Sequence, residues 1–204
     1  MNYFNLISSS LMQILLFTII PFFWWILKTD KEVSFFTWIG LKLPKITNKK
    51  KYLIIFIGIL GLMPVLLLIT NVFLPDSAEL ATAQFFGQGM NAFMAAIIYG
   101  FLQTGLSEEI FFRGFLTKRF INKYSFFTGN NMQAIIFGMV HGILFFALYS
   151  WFWITIIVLM SAIIGWLMGY INERLSSGSI ISSWLIHGTA NTLMALIAAL
   201  GIVS

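Results

Sequence analysis

Along this chain the apolar residues neither alternate with polar ones nor keep to one helical face; they run on unbroken. Six such runs occur, at about Tyr3 to Leu27, Tyr52 to Leu74, Met90 to Leu106, Met132 to Leu148, Trp151 to Ile171 and Ile180 to Val203. Each approaches or exceeds the ~20 residues with which a helix crosses a hydrocarbon core of about 30 Å. The third reaches that length only if it continues through Glu108 and Glu109, which puts both acids at membrane depth. The runs offer no alternating polar face for the lumen of a barrel, so the pattern predicts helices. The predicted fold is all-α, a polytopic membrane bundle of about six transmembrane helices. Residues 1–90 supply two N-terminal spans with a basic loop, and residues 91–204 supply the remaining core.

The breakers refine this outline. Pro64 is expected to bend the second helix, and Pro75 with Asp76 to close it. Residues Ala78 to Gly89 read as an external loop or a short interfacial helix. The turn at Tyr149 and Ser150 is short enough to make the fourth and fifth helices antiparallel neighbours. Gly165 and Gly169 form a small-xxx-small face that permits close helix approach. Between Lys28 and Lys51 the chain reads as a plain topogenic loop, with an aromatic patch at Phe35 to Trp38 suited to the interface.

Composition agrees with a lipid environment: 59% of residues are hydrophobic and only 9% charged, against roughly one quarter charged in soluble domains. The net charge of +5 could suggest nucleic acid, but its placement does not. Seven lysines (28, 31, 42, 45, 49, 50 and 51) lie between the first two helices, Arg113, Lys118, Arg119 and Lys123 follow the third, and Arg174 follows the fifth. The opposite loops carry Asp76 and Glu79 and no Lys or Arg. By the positive-inside rule the basic ends are cytoplasmic and both termini lie outside. The first run lacks a basic leader region and a small-residue cleavage site, so it is expected to stay attached. With no cysteine, disulfides, thiolate metal ligands and a cysteine nucleophile are all excluded.

Against this background three polar clusters stand out: Glu108, Glu109 and Arg113; His141; and His187 with Asn191. Ionisable groups inside a membrane are costly and mark a functional site by default. Counting ~1.5 Å per residue from expected helix entries near Lys118, Asn131 and Ser179 puts Glu108, His141 and His187 ~12 to 15 Å below the cytoplasmic face. Glu109 and Arg113 are four apart in the favourable acid-before-base order, so they can pair and leave Glu108 on another face. His187 and Asn191 are also four apart and share a face. A carboxylate and an imidazole that activate water, facing an imidazole and an amide that donate to an oxyanion, meet the requirements of peptide hydrolysis. Ser107 and Ser182 offer hydroxyls, but neither has a base at helical spacing.

The motifs Glu108-Glu109-Ile-Phe-Phe-Arg113, Phe137-Gly-Met-Val-His141 and His187-Gly-Thr-Ala-Asn191, in that order, resemble the EExxxR, FxxxH and HxxxN motifs of the CPBP intramembrane proteases. That family includes CAAX prenyl endopeptidases and bacterial relatives tied to bacteriocin processing and immunity. The resemblance runs from about Ala92 to Leu196 and also covers Gly165 to Ser179. It implies a catalytic helix core in 91–204 with Glu108 and His141 activating water. It also implies His187 and Asn191 as oxyanion donors, with Glu109 and Arg113 in support. The family is described both as metalloproteases and as metal-independent glutamate proteases. No cofactor is favoured here; the alternative is zinc held by Glu108, His141 and His187.

The function expected on this basis is intramembrane endopeptidase activity on a peptide precursor, a leader or a CAAX-type, lipid-anchored tail. Its site would open to the cytoplasmic side of a multi-pass protein in a bacterial cell membrane. The bilayer and the peptide are the partners implied, and nucleic acid is not. The alternative is a non-proteolytic immunity or scaffold protein that binds a bacteriocin or a signalling partner. A proton-coupled transporter loses ground because no internal repeat is evident.

Overall fold

Asn2 opens the first helix: its side-chain oxygen accepts from the main-chain N–H of Phe4 at 3.0 Å and of Asn5 at 3.3 Å, satisfying two donors that a helix start leaves free. Helix α1 then spans Tyr3–Lys28. The computed structural model describes residues 2–29, 32–72 and 81–202, without the side chains of 67–72. Lys31, Pro75, Asp76 and Glu79, which enter the expectations about charge and helix closure, lie outside the described residues. The remaining helices are α2 (Phe35–Trp38), α3 (Lys49–Val72), α4 (93–123), α5 (Phe126–Leu144), α6 (Trp151–Leu175) and α7 (Ile181–Ala199). The fold is all-α, and no strand occurs among the described residues. Short 3₁₀ turns at Ala83–Phe85 and Gly89–Ala92 lead into α4.

Two helices, Tyr3–Lys28 and Trp151–Leu175, are long and apolar enough to cross a membrane. The outer surface is apolar as well: Leu11, Leu15 and Ile20 of α1, Ile135 and Ile143 of α5 and Leu159 of α6 are exposed, which water would penalise.

Helix α4 is continuous but built of unlike parts. The i→i+5 bonding of a π-helix runs over Ile98–Leu106 and again over Glu109–Thr117, with Ser107 and Glu108 between the two stretches. The Thr104 and Thr117 hydroxyls donate to carbonyls five residues back, Tyr99 O at 3.1 Å and Phe112 O at 2.9 Å. Such widened turns concentrate at functional sites.

Small residues bring α7 against α4. A methyl group added at Gly100 would meet Gly188 O at 2.6 Å, and one at Gly105 would meet Gly188 N at 3.3 Å. Ala92, Ala95 and Ala96 face Ala195, Ala198 and Ala199 across the same seam. Without side-chain bulk the two backbones approach closely, so the EExxxR and HxxxN motifs share one level. Helix α5 packs antiparallel on α6. The glycines singled out on α6 receive polar groups: Gly169 takes the Asn130 amide, and a Cβ at Gly165 would lie 3.4 Å from Arg113 Nη2.

One expectation needs correction, and one helix is longer than its apolar run. Helix α5 starts at Phe126, ahead of the run that begins at Met132, and Ser125 caps it by accepting from Thr128 N at 3.2 Å. Two polar residues in its first turns are buried: Asn130 Nδ2 donates to Trp166 O at 2.9 Å and Gln133 Nε2 to Gly165 O at 2.9 Å. The correction is that the stretch after α1 is not a plain loop. Phe35 and Ile39 are buried with Ile110 and Ile180, and the chain beyond is bonded to the α6–α7 turn through Ile180 N to Gly40 O at 2.9 Å and Thr47 N to Leu175 O at 3.1 Å. Lys118 holds that turn from α4, reaching Glu173 Oε1 at 2.7 Å and Gly178 O at 2.8 Å.

Candidate active site

Glu108 and Glu109 are neighbours in sequence and belong to different surroundings. Glu109 is fully buried, and Arg113, four residues on and equally buried, pairs with its Oε1 at 2.9 Å. His187 Nδ1 lies 3.1 Å from the same oxygen. The Ser183 hydroxyl donates to Oε2 and in turn accepts from Asn172 Nδ2 at 2.7 Å. A buried carboxylate is tolerated only when its lone pairs are met in this way. The guanidinium carbon of Arg113 sits 4.1 Å from the Phe137 ring centroid, so an aromatic face covers a cation whose Nε and Nη2 make no hydrogen bond.

Glu108 has none of this. Its side chain keeps 20% exposure, and Oε2, with no hydrogen bond, stands 3.9 Å from His187 Nε2. It opens on a cavity of about 250 Å³ lined also by His141, His187, Asn191, Thr104 and Tyr99. Apolar groups complete the wall, among them Met63 of α3, Phe137 of α5 and Ile157 and Ile164 of α6.

The hydrogen bonds settle the tautomers. His141 Nδ1 is 2.9 Å from Phe137 O; a carbonyl only accepts, so Nδ1 carries the proton and Nε2 of the neutral ring keeps its lone pair. The His187 Nδ1–H is likewise committed to the carboxylate of Glu109, which leaves Nε2 toward Glu108. Asn191 Nδ2 donates to Thr104 Oγ1 at 2.7 Å and retains a second N–H. Phe137 serves both sides, stacking on His141 at 4.3 Å between ring centroids while it covers Arg113.

Glu108, His141, His187 and Asn191 are thus brought to one cavity, with Glu109 and Arg113 behind it. Ser183, Asn172 and Thr104 were not anticipated. Ser183 had a signal, since it precedes His187 by four residues on the same helix; Asn172 and Thr104 had none. Among the described residues no group of three or more His, Cys, Asp or Glu is placed to hold a metal ion.

Residues 90–193, about half of the chain and all three motifs, match the sequence model of the family described as type II CAAX prenyl endopeptidase Rce1-like. No curated protein and no solved structure matches the chain.

Proposed function

The chain belongs to the Rce1-like type II CAAX prenyl endopeptidases, a membrane-embedded family of peptide hydrolases, and on that premise we propose that it cleaves a peptide bond within the membrane using water activated by Glu108 and His141. The observation that carries this reading is the convergence of Glu108, His141, His187 and Asn191 on one cavity from three helices.

In this mechanism a water lies between Glu108 and the free lone pair of His141 Nε2. Glu108 takes one of its protons as the oxygen adds to the scissile carbonyl. The developing oxyanion accepts from the second N–H of Asn191 and from Nε2 of His187 when that nitrogen is protonated, donors that act in a water-poor site. The proton held by Glu108 then passes to the leaving amine, the C–N bond breaks to give a carboxylic acid and a free amine, and the acid loses its proton to the free lone pair of His141 Nε2. Glu109 and Arg113 support this by holding the His187 ring.

The proposed setting is a six-span bundle with residues 1–90 forming two N-terminal spans ahead of the catalytic core, both termini outside, and the site open to the cytoplasmic side of a bacterial membrane. The distribution of basic groups supports that orientation. Lys118 at the α6–α7 turn, Arg119 stacked on Trp38 at 4.1 Å and Arg174 stacked on Phe126 at 4.2 Å all belong to one end of the bundle. The substrate class proposed is a peptide precursor, a leader or a CAAX-type tail.

Purified protein in liposomes, incubated with a prenylated CAAX peptide and with a leader-bearing precursor, should yield fragments detectable by mass spectrometry. Glu108→Ala should abolish them at equal expression. Undiminished cleavage by that variant overturns the mechanism, and failure of the wild-type protein on both classes favours the immunity or scaffold alternative.

A further inference from the structure

The cavity contains a hydroxyl that the mechanism leaves unused. Ser161 of α6 is 1% exposed and lines the cavity with Glu108 and His141. Its Oγ has no hydrogen-bond partner. Buried hydroxyls are ordinarily satisfied, and within a helix the carbonyl four residues back is always at hand. This chain uses that option elsewhere: Ser10 donates to Leu6 O at 2.7 Å, and Thr155, six residues before Ser161 on the same helix, donates to Trp151 O at 2.8 Å. Of the buried Ser and Thr side chains among the described residues, Ser161 alone makes no hydrogen bond. Thr18 on α1 is also unpartnered, but it is less buried and does not line the cavity.

The neighbours of Ser161 sharpen its role. Ile157 and Ile164 line the cavity from the same face of α6, so the hydroxyl is the one polar group that α6 contributes to the wall. The Glu108 and Asn191 side chains approach the cavity from α4 and α7, whereas Ser161 comes from the other pair of packed helices, α5 and α6, which also carries His141. A chain lying in the cavity would thus meet Glu108 and Asn191 on one side and, beside His141, the hydroxyl of Ser161 on another.

We propose that Ser161 hydrogen-bonds a main-chain amide of the bound peptide and so sets its position across Glu108. This inference rests on the proteolytic reading above and adds a substrate-positioning residue to it. A main-chain amide is the fitting partner, because an extended peptide presents N–H and C=O groups that an apolar cavity must satisfy. The hydroxyl can serve either kind.

The test measures steady-state kinetics on the prenylated CAAX peptide for wild-type protein, Ser161→Ala and Ser161→Thr, with thermal stability of each. In Ser161→Ala, KM should rise about three- to tenfold, the worth of one hydrogen bond, while kcat stays within about twofold. Ser161→Thr, which keeps the hydroxyl, should recover most of the loss. The melting temperature of Ser161→Ala should hold or rise, since an unsatisfied buried group is removed. An unchanged KM in Ser161→Ala against an active wild type overturns the role of Ser161 alone. A fall in melting temperature with kcat and KM reduced together assigns the hydroxyl to packing and also overturns it. A wild type inert toward peptide overturns this inference together with the function it rests on.

Discussion

The two sides of α4 around the EExxxR motif differ in how far their polar groups are satisfied. Behind the site, Glu109 receives Arg113, His187 and Ser183, so that both oxygens of its carboxylate are met. In front, Glu108 Oε2 and Ser161 Oγ make no hydrogen bond, and His141 and His187 each turn one nitrogen away from the cavity to fix the other. A carboxylate network satisfied in this way holds shape and is inert, because its acceptor oxygens already have partners. An unsaturated one exists at a cost to stability that is sensible only if a ligand completes it. One turn of helix therefore carries both a buried, hydrogen-bonded carboxylate and the proposed reactive one.

The contrast can be broken first at the back. Glu109→Ala strands the Arg113 cation in a fully buried place and should destabilise the protein by about 3–5 kcal/mol, seen as a collapse of the melting temperature in detergent. By comparison, Glu108→Gln should melt with the wild type; equal destabilisation by the two changes would erase the distinction between the sides. At the front, Asn191→Ala removes the proposed oxyanion donor and should lower kcat by about 10²- to 10³-fold with little change in KM. A loss below about fivefold would remove Asn191 from the chemistry. Ser183→Ala deletes a hydrogen bond to a charged group and should reduce stability by about 1.5–3 kcal/mol, a smaller version of the Glu109 effect. The smallest effect belongs to chelation: with no metal-ligand cluster among the described residues, 1,10-phenanthroline should leave the cleavage rate unchanged, and a loss restored by added zinc would refute that.

The same contrast explains what could be read from the sequence. Unbroken apolar runs foretold where the long helices lie, because length and hydropathy are local properties; α1 and α6 begin where their runs begin. The i, i+4 spacing of Glu109 and Arg113 foretold their pairing, again a local matter. What escaped was non-local. Nothing in the sequence around Asn130 and Gln133 shows that α6 offers them the carbonyls of Trp166 and Gly165. Phe35 looked like an interface residue because its burial with Ile39, Ile110 and Ile180 depends on how the basic end folds back. Ser183 was within reach, since a face read as His187 and Asn191 extends one turn earlier to it, but only Glu109 across the seam gives the hydroxyl a purpose.

Helix α4 has a further consequence for how this chain tolerates changes in length. An i→i+5 turn accommodates one residue more than the α-helical turn it replaces. Losing a single residue between Ile98 and Leu106 would let that stretch relax to i→i+4 bonding with no backbone donor left over. The segment would remain helical and apolar, and hydropathy would register nothing. Because the widened turn absorbs the lost residue, Tyr99 and Gly100 would keep roughly their present facing toward α7 with Glu108 in place, whereas the same deletion in an ordinary α-helical stretch would turn one flank by roughly 100° against the other. Residue count in this stretch is therefore buffered, and two chains with the same motifs but one residue's difference there would still aim them into the same space.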